Sequence, residues 1–282
     1  MKGGYFLFNG RFYKEGDAVF TLSDVTAGTA GFIESFRAEY NEVLFQESVS
    51  NHLISTANSL DIDLTGLLDD EGRLLQKDVS RLLNKNKLYL AAKIIIQIYP
   101  SDNQINIILY AEEMERGFYQ PGEPGLLLSF YEEQFKETLP YFTFSPFCSF
   151  IQNSAQRYAA AFDKSNLIVR NNEGYACESI GGSFAFIEKE MVYFTAPGSG
   201  GYRCAIREEV IRSVKEAGLI PLDKEQITQD DLLNAEEVFL YDACHGIRKV
   251  LGLEDQRYFS TKTRVISEKL TSLAKQYRKE KG

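Results

Sequence analysis

The chain has 282 residues, 44% hydrophobic and 25% charged, with a formal net charge of −9. That composition excludes a disordered chain, and the acidic balance argues against a nucleic-acid binder. No apolar run reaches the length of a bilayer span, and the start MKGGYFLFNG has no signal-peptide core. A soluble, cytoplasmic protein with no membrane partner is therefore expected. Cys148, Cys177, Cys204 and Cys244 lack C-x-x-C spacing and read as reduced thiols. His52 and His245 are the only histidines, which excludes a His-rich metal site, and no metal is expected.

The first elements alternate between strand and helix patterns. YFLFNGRFY (5–13) reads as a hairpin around Asn9-Gly10. TAGFIESFRAEYNEVLF (29–45) reads as a second strand pair around a polar turn. SVSNHLISTANSLDI (48–62) carries Val49, Leu53, Ala57 and Leu60 at helical spacing. DVSRLLNKNKL (78–88) predicts a helix capped by Asp78, and two long strands follow in LYLAAKIIIQIYP and NQINIILYAEE.

GFYQPGEPG (117–125) concentrates Gly and Pro without periodicity and reads as a linker. The expected organisation is a small α+β domain over 1–117, a linker over 118–125, and a larger domain over 126–282. In the second part GLLLSFYEE reads as a strand, and SFIQNSAQRYAAAF (149–162) as an Ala-rich helix. CAIREEVIRSVKEAG (204–218) reads as a helix ending at Gly218. DLLNAEEVFLYDACHG (231–246) gives a short helix and a buried strand. The tail 266–282 is an amphipathic helix with a basic end, as the helix dipole favours. PGSGG (197–201) reads as a flexible connection from strand to helix, because no lysine follows as in a phosphate loop.

RNNEGYACESIGGSFAFIEKEMVYFTAP (170–197) sets one carboxylate, Glu178, among apolar strand-like runs. From the residues alone, Glu178 is either a solvated strand residue or an anion that holds a cation. Motif order bears on that choice. Asn9-Gly10, GFIESFR (31–37), NHLISTANSL, EGYACES, FTAP with CAIREEVI, and EEVFLYDACHGIRKV follow one another along the chain. In that order they resemble the class IV, or fold-type IV, aminotransferases, which depend on pyridoxal phosphate (PLP). Branched-chain aminotransferase, D-amino acid aminotransferase and aminodeoxychorismate lyase are members. The resemblance runs from Asn9 to Leu270. It implies a two-domain α+β / α/β fold of the D-amino acid aminotransferase type, a second domain with a β-barrel-like core, PLP as cofactor, and a homodimer.

The resemblance also implies roles, and departures from them. Glu178 falls where the family's carboxylate bonds the PLP ring nitrogen. Arg37 falls in a segment that suggests a substrate-carboxylate clamp or a partner for a nearby Glu. The lysine that joins the cofactor is expected a little over thirty residues before Glu178, and Ser145 stands there. Lys136 would reach that role only by a large slip in register. The family's phosphate contacts fall on His52, Ala205, Ile206 and Ala243, which are weaker donors than the family's residues. Arg207 matches an arginine read as structural. The expected function is a non-catalytic or repurposed member that binds a small anionic or amino-acid-like ligand in the interdomain cleft, with PLP binding in question. The alternative is a working aminotransferase or lyase on amino acids.

Overall fold

The computed structural model describes residues 4–17, 19, 31–101, 104–114, 119, 125–138, 150–162 and 164–281. It divides into two compact units, Met1–Phe118 with Tyr277–Gly282, and Tyr119–Gln276.

The first unit is a six-stranded antiparallel sheet, in the order β2-β1-β6-β5-β3-β4, with two helices. Its strands are β1 (Tyr5–Phe8), β2 (Arg11–Lys14), β3 (Phe32–Glu39), β4 (Glu42–Val43), β5 (Ala91–Ser101) and β6 (Gln104–Glu113). Asn9 and Gly10 take φ of 48° and 72°, the left-handed pair that a tight hairpin requires. Strand alternation puts Phe32, Phe36, Ile94, Ile96, Ile98 and Leu109 on one buried face. Helices α1 (Gln46–Ser59) and α2 (Arg73–Asn86) bury Val49, Leu53, Leu75, Val79 and Leu82. Helix α2 starts five residues before the expected Asp78. Its start is set by Asp69, whose carboxylate accepts the Arg73 and Leu74 N–H groups at 2.7 and 3.0 Å. Asp78 is instead an interior residue that pairs with Arg81.

The second unit is a nine-stranded mixed sheet. Its strands are β7 (Leu126–Phe130), β8 (Asn166–Arg170), β9 (Ala176–Ser179), β10 (Ser183–Glu188), β11 (Met191–Thr195), β12 (Ile220–Lys224), β13 (Glu237–Asp242), β14 (Gly246–Leu253) and β15 (Gln256–Arg257). The order is β12-β11-β10-β13-β14-β7-β8-β9, with β15 on β14. The last strand, β9, comes back against β10, so the sheet curls into the expected half-barrel. Its core joins Ile168, Phe184, Phe186, Val238, Leu240 and Val250. Helices α3 (Phe150–Ala161), α4 (Arg207–Glu216), α5 (Gln229–Leu233) and α6 (Thr261–Lys281) accompany the sheet, and α6 begins before the expected 266. Among the described residues, no helix is long and apolar enough to cross a membrane.

Candidate functional site

Glu178 sits on the short strand β9, completely buried. Strand alternation turns its neighbour Cys177 the other way, into a cluster with Ala155, Ala159, Leu167 and Val169. Glu178 therefore lies on the opposite face, where a bare carboxylate would be costly. Two donors meet it. The Tyr202 N–H reaches Oε2 at 2.8 Å, and the Lys136 ammonium pairs with the same oxygen.

Lys136 is as deeply buried as its partner, with side-chain exposures of 1% and 0%. Its backbone is tied down beyond the end of β8. Its N–H donates to Arg170 O at 2.8 Å, and its carbonyl accepts the Asn172 N–H at 2.9 Å. The sequence reading set Lys136 aside, and the structure brings it to Glu178. Nothing in EEQFKETL marks that residue, since the segment has no periodicity and its fixing bonds are made by backbone. Glu178 is the one acceptor that Lys136 Nζ reaches among the described residues.

The loop 197–202 closes over this pair, and that corrects its reading as a plain connector. A Cβ on Gly201 would lie 2.0 Å from Cys177 O, and one on Gly200 2.9 Å from Thr138 Cα. Only glycine lets the backbone come this close, so the Tyr202 N–H can reach the carboxylate. The loop is held on both sides. Asn171 Nδ2 donates to Ser199 O at 3.0 Å, and Ser183 Oγ donates to Tyr202 O at 2.6 Å.

The other expected donors are apolar or already engaged within their own units. Ala205 and Ile206, buried just ahead of α4, offer no side-chain polar atom. Ala243 is buried, and its carbonyl accepts the Tyr119 hydroxyl at 3.0 Å. Beside it, the Asp242 carboxylate accepts the Cys244 and His245 N–H groups at 2.9 and 2.8 Å and pairs with Arg248. Burial pushes Asp242 up, but the His245 hydrogen bond and the Arg248 charge outweigh it and hold its pKa at about 2.

In the first unit His52 is buried, and its Nε2 meets Glu34 Oε2 at 3.0 Å. Arg37 is buried on β3 and pairs with Glu39. Burial raises the Glu39 carboxyl more than Arg37 lowers it. Arg207 ties α4 to β12 through Asp223, and its guanidinium lies 5.4 Å from the Phe194 ring centre. Ser145 and Cys148 lie outside the described residues. No group of three or more His, Cys, Asp or Glu is placed for a metal among the described residues.

The chain resembles a branched-chain aminotransferase from Thermoproteus uzoniensis, solved with norvaline, at 18% identity and a TM-score of 0.80. That match covers 97% of this chain and 94% of the other. A PLP-bound hypothetical aminotransferase from Mycobacterium tuberculosis matches at 12% identity and 0.80, covering 96% and 98%. The Escherichia coli branched-chain enzyme matches at 16% and 0.78, covering 94% and 92%. No curated protein matches the chain in sequence. The sequence model of one family, described as amino-transferase class IV, matches residues 31–253, and the chain belongs to that family.

Proposed function

We propose that the chain is a class IV member that does not transaminate and binds a small anionic or amino-acid-like ligand. The observation that carries this is the Lys136–Glu178 pair. The carboxylate that would answer a PLP ring nitrogen is already answered by the protein's own ammonium. The candidate phosphate donors support the same reading. Ala205, Ile206 and Ala243 bring no hydroxyl, the Cys244 and His245 N–H groups are taken by Asp242, and His52 is taken by Glu34. On this reading the side-chain donors for the family's cofactor are lost. We place the protein in the cytoplasm as a homodimer, and light scattering on the purified chain tests the assembly.

A second reading rests on the same pair. A buried lysine at Glu178 also suits a working PLP-dependent aminotransferase or lyase whose lysine is Lys136 instead of a residue at position 145. Purified protein incubated with PLP and then borohydride separates the two. The first reading expects no covalent adduct and no rise in melting temperature. A pyridoxyl group mapped to Lys136, absent from Lys136→Met, would overturn it and establish the second.

A further inference from the structure

At the end of β3 a buried carboxyl group keeps one oxygen unanswered. Glu39 is 2% exposed, and its Oε1 takes the Arg37 guanidinium at 2.5 Å. Its Oε2, also buried, meets no hydrogen-bond donor among the described residues. A carboxylate left in that state is costly. The other charges nearby do not relieve it. Arg37 turns its second arm to Met114 Sδ, 3.8 Å away. Glu42 stands opposite on β4. Lys93, level with Arg37 on β5, lies 3.9 Å from Glu112 of β6.

The last turn of α6 brings a cation to the same corner. Tyr277–Gly282 counts with the first unit. The Tyr277 ring lies 5.5 Å from that of Phe45, and its hydroxyl accepts the Gln46 N–H at 2.9 Å. The Arg278 guanidinium lies 3.7 Å from the Tyr40 ring centre, one residue along from Glu39, and makes no ion pair with a described residue. Stacking uses its face and leaves its N–H edge available. We propose that this turn is a proton-operated strap: Arg278 rests on Tyr40 while Glu39 is a neutral acid, and swings to Oε2 when Glu39 ionises, drawing the turn onto β3. A charge-assisted hydrogen bond to a desolvated carboxylate outweighs a ring contact, so ionisation decides which partner Arg278 keeps. Burial raises Glu39 above its ordinary range, against the lowering by the Arg37 charge and hydrogen bond and then by the Arg278 charge. The Arg278 charge therefore already acts on Glu39. Stability that rests on the neutral acid is lost as pH rises through the raised folded pKa, unless a cation meets the new charge.

This inference is independent of the Glu178 pocket, whose residues belong to the other unit. Hydrogen exchange on the full chain from about pH 5 to about pH 8, read as protection factors at Tyr277, Arg278 and Lys279, tests it. The expected result is protection that rises about tenfold with pH, the gain of one hydrogen bond to a charged group. Glu39→Gln keeps an acceptor for Arg37 and cannot ionise, so it should show no rise. Arg278→Met should show none either. Its urea stability should also fall more steeply with pH than the wild type's, because ionised Glu39 then stays unanswered. If Glu39→Gln does not fold, the Arg278→Met profiles decide alone. The proposal is overturned if wild-type protection is flat, if a folded Glu39→Gln keeps the rise, or if Arg278→Met follows the wild-type profiles.

Discussion

Lys136 and Glu178 form an ion pair sealed from solvent on both sides, across the end of β8 and under the loop 197–202. Each charge is tolerable only because the other is there. Burying two ions costs several kcal/mol apiece, and their attraction with the Tyr202 N–H offsets that cost.

Removing either partner is therefore expected to be severe. Lys136→Met leaves a buried carboxylate without its cation, and Glu178→Gln leaves a buried ammonium without its anion. Each should lower unfolding free energy by about 3–5 kcal/mol at neutral pH. The double variant Lys136→Met with Glu178→Gln keeps an acceptor for the Tyr202 N–H and removes both charges. It should recover most of that loss. Urea melts of the four proteins form the cycle, and additive losses in the double variant would refute the pairing.

The turn after β13 predicts an acid response. Asp242 has a folded pKa of about 2, below its ordinary value. A depressed carboxylate contributes stability above its unfolded pKa and loses it as pH falls through the folded one. The window is therefore roughly pH 4 down to 2, and the contribution at neutral pH is about 2 kcal/mol. Asp242→Asn should lose that amount at pH 7 and flatten the stability profile across the window. Melts from pH 7 to 2 on both proteins check it, and parallel profiles would contradict the assignment.

Much of the fold was legible because its signals are local. The hairpin at Asn9-Gly10, the isoleucine run of β5 and the alternation of β10 and β11 each express one period or one turn. The start of helix α2 differs from the expectation because Asp69, which accepts its first N–H groups, stands four residues before Arg73 and outside the periodic stretch. At the candidate site, Glu178 could be read from its motif, but Lys136 could not. It reaches Glu178 across β8 through backbone bonds to Arg170 and Asn172, and a spacing rule carries no record of such long-range pairing. The Gly200–Gly201 approach was hidden for the same reason. A glycine's permissiveness is visible in sequence, but the backbone it admits is not.

The cysteines beside the motifs are expected to be inert in the folded protein. Cys177, Cys204 and Cys244 are all buried. Burial, and then the negative charge of Glu178, push the Cys177 thiol up, so little thiolate forms at neutral pH. Iodoacetamide at pH 8 should label Cys177 in urea and leave it unmodified in the native state. Site-resolved mass spectrometry reads the difference, and comparable native labelling would show that the pocket opens.

The loop over the ion pair gives the most local test. A methyl group at Gly201 meets Cys177 O at 2.0 Å, a contact that neither strand β9 nor the loop can relieve without moving. The loop would have to lift, and the Tyr202 N–H would then leave Glu178. Gly201→Ala should therefore cost about 3 kcal/mol or more, from the lost hydrogen bond and from water reaching the ion pair. Gly198→Ala, in the same loop, meets nothing within 4 Å and should change stability by less than about 0.5 kcal/mol. Hydrogen exchange separates a local effect from a general one. In Gly201→Ala the Tyr202 amide should lose its protection, while the β10–β13 amides, paired from Ser183 to Ile187, keep theirs. Equal costs for the two alanines, or a protected Tyr202 amide in Gly201→Ala, would mean that the loop does not seal Lys136 and Glu178.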